Sequence, residues 1–269
     1  QGGTKDDVLI YRFEDHWLMV CNAANHAKLM DHFQQNTGEL SVKIEDQTPK
    51  TGMVAVQGPR AMESIGNFSK EIPILKLIVS RTGYTGEDGV EIILPANAVN
   101  MAIKLLMKED KDGEETIRPV GLGARDTLRI EAAMPLYGHE LTEAIDPLTA
   151  GLDFAVTLDK HEDDQWGPID PFIGQEAVAK VAAEGPKRKR IGLKLDGRRT
   201  ARQDMPVLAD GQSVGHITSG CLSPTLGYPI AMAYVDPAHA TVGTTVQVDF
   251  GKQQVEAEVV KMPFYKPDK

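Results

Sequence analysis

Residues 75–94 read Leu75-Lys-Leu-Ile-Val-Ser-Arg81-Thr-Gly-Tyr-Thr-Gly-Glu-Asp-Gly-Val90-Glu-Ile-Ile-Leu94. Two apolar runs flank eight residues rich in glycine, threonine and acid. That is the pattern of a strand over 75–81, a loop over 82–89 and a partner strand over 90–94. Glu91 interrupts the second apolar run. A carboxylate there either faces solvent or holds a ligand, and the strand alone favours solvent.

Working outward, residues 96–108 repeat apolar side chains at helical spacing through Val99, Ala102, Ile103 and Leu106. Residues 124–134 predict a second helix, ended by Pro135. Upstream, strands are expected over 8–11 and 17–21, with a turn at 13–16 between them. A helix follows over 22–35, with Ala27, Met30 and Phe33 on its apolar face. Alternation over 40–44 predicts another strand. Residues 53–56 form a further one, stopped by Gly58-Pro59, and 61–66 a short helix. Downstream come a strand over 152–158, a helix over 174–183 and the break Gly185-Pro186. Beyond 190 the pattern changes to short strands with glycine and proline turns, including 191–195, 214–218, 230–235 and 246–250. The fold class is therefore α+β, with a β-rich C-terminal domain starting near 185–190. No internal repeat or low-complexity segment occurs.

Of 269 residues, 41% are hydrophobic, enough to bury a core, and the formal net charge is −10. An acidic chain is a poor partner for nucleic acid, whose binding needs cations to displace counterions from phosphates. No apolar run reaches the length of a membrane span, and the first residues are neither a signal nor a transit peptide. One basic cluster departs from this balance: Lys187, Arg188, Lys189 and Arg190, followed by Arg198, Arg199 and Arg202. It reads first as a solvated loop and strand edge, with a docking patch for an acidic partner as the alternative. Cys21 and Cys221 are isolated cysteines that suit a reducing compartment.

Several familiar sites are excluded. Asp126 stands where a dinucleotide fingerprint starting at Gly121 needs its third glycine. There is no phosphate-binding Walker loop, no H-x-x-x-H, no Cys-x-x-Cys and no G-x-S-x-G, so no metal site is expected. What remains is polar residues in apolar company. Asp6 and Asp7 lie between a Gly-Gly turn and a strand, and alternation puts Asp7 on one face with Leu9 and Tyr11. Arg125, Asp126, Arg129 and Glu131 decorate one helix, where Arg125 and Arg129 share a face. On the residues alone, turn chemistry is the favoured account of the aspartates, and local ion pairing with Asp126 or Glu131 accounts for the arginines.

The stretch Arg81 to Glu91 resembles the central signature of the glycine cleavage T-protein family. Gly121-Leu-Gly-Ala-Arg125-Asp-Thr-Leu-Arg-Ile-Glu-Ala132 is similar to its second signature. Further matches follow the family's order: Gly2-Gly3-x-x-Asp6-Asp7, Val20 to Asn25, Leu136-Tyr137-Gly138, Thr218-Ser219-Gly220, Ser223 to Gly227 and Lys261 to Phe264. The resemblance covers essentially the whole chain, but the family's first quarter, with its Phe-Asp-Val-Ser-His stretch and a folate-contacting tyrosine, does not appear. It therefore implies an N-terminally truncated member whose activity alone is in question.

The resemblance implies a three-domain cloverleaf around a folate channel. Residues 1–46 and 141–185 would form one interleaved domain, 47–140 the folate-binding domain and 186–269 a barrel-like third. It implies transfer of an aminomethyl carbon from the lipoyl arm of H-protein to tetrahydrofolate, with release of ammonia and without metal. Asp7 would be catalytic. Glu91 would accept hydrogen bonds from the pterin, Tyr84 and Asn22 would line its pocket, and Arg125 would take the aminobenzoyl-glutamate end. Location would be cytoplasmic in a bacterium, or the mitochondrial matrix in a eukaryote. Within the same superfamily, a folate-dependent demethylase or oxidase-associated domain and a non-catalytic folate-binding protein stay open as alternatives.

Overall fold

The computed structural model describes residues 2–65, 77–107, 117–158 and 171–267. The strand expected over 75–81 and the helices over 61–66 and 96–108 therefore lie partly outside the described residues. The chain divides into two units. Gln1–Leu40 with Pro135–Phe264 forms the first, and Ser41–Met134 with Tyr265–Lys269 the second.

The first unit opens with a hairpin of strands β1 (Leu9–Arg12) and β2 (Trp17–Val20), paired Leu9 to Val20 and Arg12 to Trp17. Helix α1 (His26–Asn36) follows a single tight turn at Ala23–Asn25. Its buried residue is Leu29, whereas Ala27 is exposed and Met30 only partly covered, so the expected face is rotated by one position.

The second unit is a three-stranded antiparallel sheet of β3 (Thr51–Gln57), β4 (Ile78–Ser80) and β5 (Gly89–Pro95), in the order β3-β5-β4. Strand β5 is central. Its Val90, Ile92 and Leu94 point to one face and pack with Val56, Ala98, Ala102 and Leu106. Burying each such aliphatic side chain is worth ~1.5–3 kcal/mol, which fixes the strand's register. Helix α2 (Val99–Leu106) covers that face. Gly52 allows the approach, since a Cβ there would sit 2.5 Å from Val99 Cγ2. Helix α3 (Leu122–Glu131) ends at Glu131, short of the stop expected at Pro135. Residues 40–44 form no strand. Leu40, Val42 and Ile44 are exposed, because alternation makes a strand only where an edge is available to pair with it.

The first unit resumes with tight turns over 135–158, where a single turn at Asp153–Ala155 replaces the strand expected over 152–158. Helix α4 (Gln175–Glu184) leads to a closed six-stranded barrel. Its strands are β6 (Lys189–Leu195), β7 (Pro206–Ala209), β8 (Gln212–Leu222), β9 (Pro229–Val235), β10 (Thr245–Asp249) and β11 (Gln254–Val260). Their order is β10-β11-β6-β9-β8-β7, and β7 pairs β10 to close the ring. Closure removes the open edges that short strands would otherwise expose. Alternate residues such as Ile191, Leu193, Leu195, Ala231, Ala233 and Val235 fill the interior. Strand β9 is buried on both faces. Tyr234, on its outer face, donates to the carbonyl of Glu140 at 2.8 Å, and burial pushes its hydroxyl well above the usual tyrosine pKa.

Candidate functional site

The polar residues singled out above fall into two groups, one in each unit.

In the first unit, the start of the chain is pinned before β1. Thr4 N–H donates to Ile145 O at 2.9 Å and Thr142 O at 3.2 Å, and its hydroxyl to Ile145 O at 3.0 Å. Gly3 makes that contact possible, because a Cβ there would lie 1.7 Å from Glu143 O. The Gly-Gly motif thus lays the backbone flush on 142–145 and delivers two carboxylates. Asp6 is half-buried and accepts from Asn22 N–H at 3.0 Å, Asn22 Nδ2 at 2.7 Å and Asn25 Nδ2 at 2.6 Å. Asp7 is exposed, and its Oδ1 accepts from Asn22 Nδ2 at 2.8 Å. Both stand on the wall of a cavity of about 800 Å³, with Met19, Phe33, Phe172 and Val178 among its apolar lining. Lys28 and Glu143 brace the neighbouring turn, 3.3 Å apart, and Lys28 Nζ donates to Tyr137 Oη at 2.6 Å. The bond from Lys28, with the charge of Lys5, holds the Glu143 carboxyl below its usual pKa. For Lys28, burial works to lower the pKa, but the bonds to Tyr137 and Glu143 outweigh it and the group stays protonated to higher pH.

In the second unit, Glu91 lies on the face of β5 opposite the apolar core, between Ala55 and Ser80 of the flanking strands. It does not face open solvent, the reading the strand alone favoured, for it is only 7% exposed. Among the described residues its hydrogen-bond donor is the Thr82 hydroxyl, 2.5 Å from Oε2, and that hydroxyl also lies 3.0 Å from Ser80 Oγ. The loop 82–89 is held from below by Gln57. Its Nε2 donates to the carbonyls of Thr82 and Val90 at 3.1 Å each, and its Oε1 accepts from Thr85 Oγ1 at 3.2 Å. Gly83 leaves room for that amide, since a Cβ would lie 1.8 Å from Gln57 Oε1. Arg81 pairs with Asp88 at 2.5 Å across the loop's ends.

Tyr84, inside this loop, lies under the guanidinium of Arg125, 4.5 Å from ring centroid to Cζ. Arg125 and Arg129, four apart on one helix, take different partners. Arg129 is 1% exposed and bonds Asp126 at 2.8 Å through Nε, while Arg125 stays exposed. Asp7 and Asn22 are thus brought together in the first unit, and Tyr84 and Arg125 in the second, where Glu91 also lies. Reading the sequence missed Gln57, Thr82 and Asn25, which act through hydrogen bonds that no spacing rule reveals. Among the described residues, no cluster of three or more His, Cys, Asp or Glu side chains could hold a metal ion, and no helix is long and apolar enough to cross a membrane.

An N-terminal α/β portion carrying paired carboxylates, followed by a closed barrel, defines a recognisable class. Residues 1–160 match the GCVT N-terminal domain, and residues 188–266 the glycine cleavage T-protein C-terminal barrel domain. An aminomethyltransferase of Rubrobacter xylanophilus is 41% identical over 98% of this chain and 70% of its own length. That of Saccharopolyspora erythraea is 40% identical over 99% and 74%. The crystal structure of glycine cleavage system aminomethyltransferase T from Bartonella henselae superposes with a TM-score of 0.85 at 28% identity, covering 98% of this chain and 73% of that one. The chain belongs to the glycine cleavage T-protein family of aminomethyltransferases.

Proposed function

We propose that the chain transfers the aminomethyl carbon carried on the lipoyl arm of an H-protein to tetrahydrofolate. The carbon–sulfur bond to the arm breaks and leaves a reduced thiol. The amine leaves as ammonia, and two folate nitrogens close on the carbon to give 5,10-methylenetetrahydrofolate. Family membership supports the reaction class. The observation that carries the folate reading is Glu91, a carboxylate turned away from the apolar core yet shielded from solvent. Such a group calls for donors, and the adjacent ring N–H and amino group of a pterin match its two oxygens as a charge-assisted fork.

On this reading residues 47–140 form the folate-binding part. Tyr84 packs at the pterin and Arg125 receives the glutamate carboxylates, which suit a guanidinium. Asn22 takes its part in folate binding from the first unit, beside Asp7. The Asp7 carboxylate orients the folate nitrogens and stabilises cationic character on the carbon in transfer. Positioning and exclusion of water supply the rest, since an iminium-like carbon is hydrolysed by water. The bacterial relatives favour a cytoplasmic location.

The decisive assay mixes the chain with aminomethylated H-protein and tetrahydrofolate. Ammonia and methylenetetrahydrofolate should appear in equal amounts. Folate binding without ammonia release would assign a non-catalytic role. One-carbon transfer from an N-methylated amino acid instead would assign a demethylase.

A further inference from the structure

Asp6 and Asn25 have no part in the chemistry above, yet they are joined by a short polar contact of 2.6 Å beside Asp7. A carboxylate only accepts hydrogen bonds, so both asparagines must turn their NH2 groups toward Asp6. Asn25 is 5% exposed and reaches Asp6 Oδ1 at 2.6 Å. Asn22 reaches the same oxygen through Nδ2 at 2.7 Å and the other oxygen through its backbone N–H at 3.0 Å. That same Nδ2 then reaches Asp7 Oδ1 at 2.8 Å. One amide is shared between two adjacent carboxylates, and the more buried one sets its rotamer.

We propose that Asp6, clamped by Asn25, is a positioning residue that acts through Asn22 to fix the direction of the Asp7 carboxylate. Three donors converge on Asp6, which therefore presents little acceptor capacity to a substrate. Asp7 is the exposed member of the pair. The arrangement also separates two like charges with a shared donor, which relieves the repulsion between neighbouring carboxylates. A small error in the direction of a reacting group costs rate far more than affinity. This inference rests on the reading of Asp7 as the group that acts on the transferred carbon.

The test is a set of variants assayed for turnover, KM and thermal unfolding in the full chain. Asp6→Asn can keep one oxygen for the two asparagine amides but sets its own NH2 against the Asn22 backbone N–H, and so loosens the hold on Asn22 and on its contact with Asp7. We expect kcat to fall ~10–100-fold, with KM for tetrahydrofolate changed less than about threefold. The exchanged pair Asp6→Asn with Asn25→Asp restores donor to acceptor and the net charge, and should recover kcat to within about fivefold of wild type. In an Asp7→Asn background, Asp6→Asn should cost nothing further, because residues acting as one unit are not additive. Wild-type kcat in Asp6→Asn, or a full additional loss on top of Asp7→Asn, overturns the positioning role. So does a folded exchanged pair without recovery, which decides the matter even if a single variant unfolds. Wild-type turnover in Asp7→Asn alone would instead remove the premise and sink the reading of Asp7 itself.

Discussion

The guanidinium of Arg125 lies over the ring of Tyr84, 4.5 Å from its centroid. The ring comes from the loop before β5 and the cation from α3, so a stack worth ~0.5–1 kcal/mol at an exposed site ties a loop to a helix. If Arg125 receives the glutamate end of folate, Arg125→Gln should weaken tetrahydrofolate ~10-fold and a pterin fragment lacking the glutamate much less, since only the Tyr84 stack is lost there. Tyr84→Leu should weaken both ligands. Calorimetry with the two ligands checks this, and equal loss of both in Arg125→Gln would remove Arg125 from the glutamate end.

Glu91→Gln keeps the shape of the side chain but removes its charge and one acceptor. Loss of a charge-assisted bond costs ~1.5–3 kcal/mol, so the tetrahydrofolate Kd should rise ~10–100-fold. Thr82→Val, which removes the hydroxyl bonded to Oε2, should act in the same direction and more weakly. An unchanged Kd in Glu91→Gln takes the residue out of the site.

Glu143 gives a pH dependence of defined sign. Its folded pKa lies below the usual 4.5, chiefly through the bond from Lys28. The pair therefore adds stability above that value, and the contribution is lost as pH falls through the folded pKa. Glu143→Gln should lower Tm by ~1–2 °C at neutral pH, since an exposed pair is worth little. The two melting curves should converge once the pH falls below that depressed folded pKa. A constant difference across the whole acid range would show that the carboxylate's charge is not what matters.

The basic cluster of 187–202 is not one patch. Lys187 to Arg190 lie at the start of β6, and Arg198, Arg199 and Arg202 beyond its end. A strand of that length spans ~20 Å, well over the screening length of ~8 Å at physiological salt. Arg188 is also engaged, donating to Val214 O at 2.6 Å and pairing with Asp236 at 3.1 Å. Reversing Lys187 and Lys189 to Glu should therefore change association with an acidic lipoyl-bearing partner less than about twofold at low salt. A slowing of more than about fivefold that fades as salt rises would restore the docking reading.

Long periodic elements were legible in the sequence. Helices α2 and α3, strand β5 and the strand-rich C-terminal part were all expected near their observed places, because apolar spacing reports the face that a helix or strand buries. The failures share a cause. Residues 40–44 and 152–158 carry strand-like composition but gain no pairing partner. For α1, the buried residue is Leu29 rather than its neighbours, since the face a helix turns inward depends on what lies beneath it.

The sequence by itself determined the signature segments, the order of elements and the residues able to carry chemistry, because these depend on side-chain type and local spacing. It could not say which of two equivalent residues does what. Arg129 is buried on Asp126 while Arg125 stacks on Tyr84, and Asp6 is enclosed by two asparagines while Asp7 is exposed. Glu91 looked solvent-facing from its strand and is shielded instead. Each of these outcomes was decided by groups distant in sequence meeting in the fold. Burial and hydrogen bonding depend on all the neighbours of an atom, and only the tertiary structure supplies them.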